Sequence, residues 1–181
     1  MIELLIKNGA DVNAKNEDDN TALMIACFKN SNIAIVEALI EKGADINAKN
    51  KEGSTALMIA KAQKSNPAII ELLIKNGADV NARGGDGGTA LMWASLPSNH
   101  AIIKVLIEKG ADVNAKNKYG HTALMFASYE SSNPEVIETL IKNGANVNAK
   151  TKKGKTALMM AREKNSNPAI IEALIKNGAK Q

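Results

Sequence analysis

The side chains best suited to chemistry in this sequence are one cysteine, Cys27, and two histidines, His100 and His121. A zinc site needs three or four ligands at defined spacing. A nucleophilic cysteine needs a base within hydrogen-bond reach. These three residues are scattered along the chain and occupy unlike local patterns. The sequence therefore predicts no catalytic residue, no metal site and no cofactor, with Cys27 as a small helix residue and both histidines as exposed polar groups.

Two further patterns could be mistaken for sites. The run from Arg83 to Gly88 is glycine-rich, but it lacks the Gly-Lys-Ser/Thr ending of a phosphate-binding loop. We interpret it as a flexible loop tip. An aspartate precedes Val-Asn or Ile-Asn at Asp11, Asp45, Asp79 and Asp112. A catalytic group is needed once, whereas a turn-forming group is needed in every repeat, so these aspartates predict turns.

Composition narrows the classes of partner. The net charge is +4 and comes almost wholly from lysine, since Arg83 and Arg162 are the only arginines. Nucleic-acid sites usually favour arginine, so a nucleic-acid partner is disfavoured. No apolar run approaches the ~20 residues that a membrane helix needs. With a single cysteine no internal disulfide can form, which fits a reducing compartment, and we expect a cytoplasmic protein.

The positions of two sequence markers show the organisation of the chain. Thr-Ala-Leu-Met recurs at spacings of 34, 34, 33 and 34 residues, beginning at Thr21, Thr55, Thr89, Thr122 and Thr156. Gly-Ala recurs in the same phase, beginning at Gly9, Gly43, Gly77, Gly110, Gly144 and Gly178. Each unit predicts two short helices. Because helices this short are marginal alone, they must gain a shared core by stacking on their neighbours.

Residues 50–83 illustrate one unit. Thr55 is a plausible N-cap for a first helix, and Pro67 lies in the first turn of a second helix. Gly77 ends that helix in the left-handed conformation. Residues 78–83 are then expected to run as an extended arm into the next turn.

The Gly-x-Thr-Ala-Leu start at 53–57 and the Gly-Ala-Asp-Val-Asn-Ala end at 77–82 resemble the ankyrin repeat. The resemblance covers essentially the whole chain. It implies an all-α solenoid of stacked helix-turn-helix units with projecting hairpin loops. It also implies protein binding through the concave face formed by loop tips and first helices. The family's usual Thr-Pro-Leu-His reads Thr-Ala-Leu-Met here, so the hydrogen bonds of that histidine are expected to be lost.

We expect one domain, 1–181, with a partial repeat at 1–15, full repeats at 16–49, 50–83, 84–116 and 117–150, and a terminal repeat at 151–181. Neither end is specially polar, whereas solenoids normally need polar caps. This predicts either a longer array or end-to-end stacking of copies.

Specificity should lie where the repeats differ while their frame is constant. The first loop is acidic and the last is basic, and tyrosines are common interface anchors. Trp93 and Phe126 share a helix slot with Ile25, Ile59 and Met160, so we expect them in the core. The predicted partner-binding residues are Phe28, Lys29, Lys51, Glu52, Asp86, Leu96, Lys118, Tyr119, His121, Tyr129, Glu130, Lys152, Lys153 and Lys155.

The sequence thus predicts a non-catalytic protein-interaction module, with no small-molecule substrate and no membrane partner. Two alternatives stay open. The C-terminal lysines could bind nucleic acid or another anionic surface, or the array could be a scaffold without a specific ligand.

Overall fold

The computed structural model describes residues 8–28, 32–60, 67–96, 99–130, 133–164 and 167–180. The chain divides into two compact units, Met1–Gly85 and Asp86–Gln181. Both are built from pairs of short helices. Within the described residues the chain forms ten helices, and the one β-type pairing is an isolated bridge between Lys15 and Thr21.

The N-terminal unit contains two helix pairs, α1 (Ala22–Phe28) with α2 (Ile33–Glu41) and α3 (Ala56–Ile59) with α4 (Pro67–Lys75). Each helix contacts its own pair mate. In addition, α1 contacts α3 and α2 contacts α4, so first helices stack on first helices and second helices on second helices.

The C-terminal unit repeats this arrangement with three pairs. Its helices are α5 (Ala90–Ser95), α6 (His100–Glu108), α7 (Ala123–Glu130), α8 (Pro134–Lys142), α9 (Ala157–Lys164) and α10 (Pro168–Lys176). The first helices α5, α7 and α9 pack in that order, and the second helices α6, α8 and α10 form a parallel row. Within each unit, the predicted all-α architecture of stacked helix pairs is confirmed.

The helices begin where the sequence supplies side-chain acceptors. Thr55 caps α3 by accepting a hydrogen bond from the amide of Met58, and Thr89 caps α5 in the same way. Second helices use asparagine instead, as Asn133 accepts from the amide of Glu135 before Pro134 opens α8. Each cap satisfies an amide that the first helical turn leaves without an intrahelical partner.

The helix ends follow a second rule. After α4, Gly77 adopts a φ of 96°, a conformation that costs glycine little, and the amide of Ala78 donates back to the carbonyl of Leu73. The expected extended arm after this point is wrong in detail. The amide of Ala82 donates to the carbonyl of Asp79, which closes a tight turn inside the arm.

The core repeats with the same period as the sequence. The leucine of Thr-Ala-Leu-Met is at most 1% exposed in every repeat, and the threonine is at most 5% exposed. Isoleucine, valine and leucine from the second helices complete the interior, for example Val36, Leu39, Ile102, Leu106, Val136 and Leu140. This burial supplies the stability that one short pair cannot reach alone. Among the described residues, no helix has the length and apolarity that crossing a bilayer requires.

Candidate functional site

The hairpin turn before each first helix is built around one side-chain acceptor. In the turn at 117–121, Asn117 Oδ1 accepts hydrogen bonds from the amides of Tyr119 and His121, both at 3.0 Å. Its amide also donates to the carbonyl of His121. The turn therefore presents Lys118 and Tyr119 outward on a fixed backbone, with Lys118 and Tyr119 both exposed.

Neighbouring turns are also bonded to one another. In the C-terminal unit the amide of Lys118 donates to the carbonyl of Asp86 at 2.8 Å, and the amide of Lys152 donates to the carbonyl of Tyr119 at 3.0 Å. In the N-terminal unit the amide of Lys51 donates to the carbonyl of Asp18 at 3.1 Å. The turns of each unit thus form a continuous row, and the side chains they carry are held in register.

An asparagine that recurs after the second helix forms hydrogen bonds to the next repeat. Asn114 Nδ2 donates to the carbonyl of Gly144 at 2.8 Å, and Asn114 Oδ1 accepts from the amide of Asn146 at 2.8 Å. Asn47 makes the matching pair of bonds, to Gly77 and from Asp79. The aspartate series forms turns as predicted, since Asp112 Oδ1 accepts from the amide of Asn114. These asparagine joints therefore bond the segment after each of these second helices to the same segment of the next repeat.

A groove in the C-terminal unit lies between the turn row and the first helices. We call it the C-terminal groove. Its volume is about 650 Å³, and it is lined by Leu96, Tyr119, His121, Phe126, Tyr129, Glu130, Thr151, Lys152, Lys153, Lys155, Met160 and Glu163. These residues come from two hairpin turns, from the first helices α7 and α9, and from Leu96, the residue that follows α5. It joins an apolar floor to a charged rim, as binding surfaces for peptides and proteins commonly do.

The floor of the C-terminal groove is aromatic. The rings of His121 and Phe126 lie 5.6 Å apart between centroids, and those of Phe126 and Trp93 lie 5.9 Å apart. Tyr119 meets His121 edge to face at 6.2 Å. The expectation that Trp93 and Phe126 lie in the core is wrong, because both rings are half-buried and Phe126 lines the groove. Their helix slot faces the hairpin turn, where an aromatic ring stays partly open to solvent.

The rim of the same groove carries an excess of positive charge. Lys155 Nζ lies 2.7 Å from a carboxylate oxygen of Glu163, so these two charges offset each other. Lys152 and Lys153 are exposed. Outside the lining, the ammonium groups of Lys118 and Lys164 lie 5.2 Å and 5.8 Å from the ring centroids of Tyr119 and Tyr129. The attraction between an ammonium group and the electron-rich face of an aromatic ring stabilises both contacts.

The N-terminal unit carries a groove at the corresponding place, which we call the N-terminal groove. Its volume is about 580 Å³, and it is lined by Asp18, Asn20, Met24, Ile25, Phe28, Asn50, Lys51, Glu52 and Ile59. Phe28 is its only aromatic residue and is 50% exposed. Of the described residues in this lining, two carry carboxylates and one is a lysine, and Asn50 donates to Asn20 at 2.9 Å. This surface is aliphatic and mildly acidic.

Most of the predicted binding residues fall into these two grooves. The structure brings Leu96, Tyr119, His121, Tyr129, Glu130, Lys152, Lys153 and Lys155 to the C-terminal groove, and Phe28, Lys51 and Glu52 to the N-terminal groove. Lys118 flanks the former through Tyr119. Lys29 lies outside the described residues. Their role in binding stays a prediction.

Asp86 lies in neither groove. Its Oδ1 accepts a hydrogen bond from the amide of Gly88 at 2.8 Å, and the residue is half-buried. The repeat has glycine at position 84, where Asn117 and Asn50 stand in other repeats. Asp86 therefore supplies the turn acceptor that Gly84 lacks, which gives the glycine-rich loop an ordered turn.

The histidines are less exposed than the sequence suggested. His100 Nε2 lies 2.8 Å from Thr139 Oγ1, and His100 Nδ1 lies 3.3 Å from a Glu135 oxygen. Its side chain is only 20% exposed because α8 packs beside it. His121 is half-buried among rings, and burial lowers its pKa from the usual value. Within the described residues, no group of three or more His, Cys, Asp and Glu side chains could hold a metal ion.

Cys27 is buried, as expected of a small helix residue. Desolvation raises the pKa of its thiol to about 12. At neutral pH the group is therefore the thiol, which is a poor nucleophile.

Comparison with known protein families gives a match along the whole sequence. A family model described as ankyrin repeats (3 copies) matches residues 1–84, 61–151 and 116–181. No curated protein matches the chain.

Proposed function

Because the chain belongs to the ankyrin repeat family, we propose that it is a non-catalytic module that binds a protein partner, chiefly through the C-terminal groove. Ankyrin repeats are generally protein–protein interaction modules, and the family is typically non-enzymatic. To this general function of the family we add the surface that binds the partner, the C-terminal groove. It also includes a cytoplasmic location, for which the single buried cysteine is the support.

The observation that carries the proposal is the cluster of partly exposed aromatic residues on a hydrogen-bonded frame. Tyr119 is 53% exposed, and Tyr129 and Phe126 are half-buried in the same groove. Tyrosine gives a large contact area at low cost in conformational entropy, and it is enriched among residues that dominate binding energy. The turn row and the asparagine joints hold these rings in place before a partner arrives, which lowers the entropic cost of binding.

An anionic surface or a nucleic acid is the second candidate, favoured by the exposed Lys152 and Lys153. The groove opposes it in two ways. Glu130 and Glu163 stand in the lining, and the floor is apolar and aromatic. A polyanion binder would lose affinity steeply with salt, whereas binding through apolar anchors would lose little.

The proposal is tested by capture with paired variants. The wild-type chain, Tyr119→Ala/Tyr129→Ala and Phe28→Ala are immobilised and exposed to an extract of cells that produce the protein. We expect at least one protein to be retained by the wild type and by Phe28→Ala and lost by the double variant. Titration calorimetry with the purified partner should show that the double tyrosine variant loses about 2 kcal/mol or more of binding free energy. This loss equals a rise of about 30-fold in Kd.

Phe28→Ala is the matched control, since Phe28 is the exposed aromatic residue of the other groove. Circular dichroism should show unchanged helix content in all three chains. Equal retention by the wild type and the tyrosine variant would place the binding surface elsewhere, and loss by the phenylalanine variant alone would assign it to the N-terminal groove.

A further inference from the structure

We infer that the C-terminal groove takes a partner of defined chemistry, an extended peptide segment in which one large apolar side chain is flanked by carboxylates. This inference rests on the proposed function and specifies its partner. It follows from the shape of the floor, from the charge of the rim and from the contrast with the N-terminal groove.

The floor supplies the place for the apolar side chain. The rings of Phe126 and His121 lie 5.6 Å apart between centroids, and Leu96, Tyr129 and Met160 complete the apolar lining. Burial lowers the pKa of His121, so its ring is neutral at pH 7 and adds no charge to the floor. A volume of about 650 Å³ accommodates one large side chain together with a short length of backbone.

The rim supplies the charge complementarity. Lys152 and Lys153 project from the last hairpin turn, and within the described part of the chain neither forms an ion pair. Lys155 and Glu163 satisfy each other at 2.7 Å. Of the described residues that line the groove, this leaves two lysines and one carboxylate, that of Glu130, outside any ion pair. The unpaired charge is positive, so carboxylates on the peptide would meet the lysines.

The order of the groups favours a peptide over a polyanion. The lysines stand on the turn at one side, and the apolar floor lies beside them on the first helices. A peptide alternates charged and apolar side chains at short spacing and can satisfy both surfaces together. A nucleic-acid backbone presents charge along its whole length and would approach Glu130 and Glu163 as well.

The N-terminal groove provides the contrast. Among the described residues, its lining holds Asp18 and Glu52 against Lys51, so the net charge of this described lining is negative. An acidic segment would be repelled there, and the two grooves should therefore select different peptides.

A selection from a displayed library of random twelve-residue peptides tests the inference. The target is the whole chain as wild type, as Lys152→Ser/Lys153→Ser, and as Lys51→Ser/Lys75→Ser, which removes two lysines from the N-terminal unit. We expect wild-type selection to enrich acidic peptides that carry one large apolar residue. The enriched peptides, labelled with fluorescein, should bind the Lys152→Ser/Lys153→Ser variant about tenfold or more weakly and the control variant unchanged. Lys152→Arg/Lys153→Arg should restore binding.

Other outcomes overturn the inference. A selection that enriches peptides but no acidic ones, acidic peptides whose binding survives the loss of Lys152 and Lys153, or tighter binding of a single-stranded oligonucleotide would each contradict it. If no peptide is enriched while a captured protein still depends on Tyr119 and Tyr129, the inference fails and the proposed function stands. If neither depends on the groove, both fail.

Discussion

The N-terminal and C-terminal grooves occupy the same slots of the repeat and carry opposite surfaces. The hairpin position of Asp18 and Glu52 is held in the C-terminal unit by Asp86, which lies outside the groove, and by Tyr119 and Lys153. The helix position of Ile25 and Ile59 is held there by Trp93, Phe126 and Met160. The backbone hydrogen bonds between turns are alike in both units. One frame thus carries an aliphatic, mildly acidic groove and an aromatic, basic groove.

The comparison shows how a repeat array separates stability from recognition. The capping threonines, the leucines and the joint asparagines are buried or hydrogen-bonded in both units. The residues that differ lie in the turns and at a first-helix position that lines the grooves, where Ile25 is exposed and Phe126 is half-buried. A substitution at these outer positions costs the core little, so the grooves can differ in chemistry without a change of fold.

If the frame is equal in the two units, removal of the same joint should cost the same. Asn47→Ala and Asn114→Ala each remove a donor to a glycine carbonyl and an acceptor for a backbone amide. We expect each variant to lose about 1–2 kcal/mol of unfolding free energy. Urea denaturation followed by circular dichroism measures both. A difference well above 1 kcal/mol between them would show that the two frames are unequal.

A smaller effect is expected at the tip of the hairpin turn. Asp19 has a φ of 61°, whereas the same slot holds glycine in the other turns, including Gly154 with a φ of 78°. Non-glycine residues are strained in this conformation. We therefore expect Asp19→Gly to stabilise the chain by about 0.5–1 kcal/mol and Gly154→Asp to destabilise it by a similar amount.

The reciprocal substitution serves as the control, because no atom lies within 4 Å of a Cβ at Gly154 and only backbone strain is tested. Thermal unfolding gives both signs. A destabilising Asp19→Gly would mean that the N-terminal turn depends on the aspartate side chain, and the comparison of the two turns would fail.

The smallest effect concerns pH. Burial lowers the pKa of His121, so below about pH 6.5 the unfolded chain binds a proton at this residue more readily than the folded chain does. The stability contribution of His121 is therefore complete at neutral pH and declines as the pH falls through this range. We expect His121→Asn, which introduces the residue found at Asn20, to reduce the loss of stability on acidification.

His100 is present in both chains, so it cancels in the difference between wild type and variant. The measurement is the denaturation midpoint at several pH values between about 7.5 and 5.5. Parallel curves for the two chains would show that protonation of His121 carries no penalty in the C-terminal groove.

The amino-acid sequence alone was sufficient to predict the repeating helix pairs and where their helices begin and end. These features depend on local causes, namely the caps at Thr55 and Thr89, the glycine after α4, and the period of the buried leucines. It also indicated the acidic and basic hairpin turns, because exposed charges can be counted slot by slot.

Which of those side chains share a surface became known from the three-dimensional arrangement of the repeats. Phe126 was expected in the core, but its exposure depends on the hairpin turn that packs over it and on the neighbouring repeat. The binding role of Asp86 stays a prediction, and the structure adds that its carboxylate accepts a hydrogen bond from the amide of Gly88 in the turn where Gly84 has no side chain. These outcomes depend on contacts between residues that are distant in sequence, or on competition between side chains for one hydrogen-bond donor. A pattern of residue types encodes neither the contacts nor the competition.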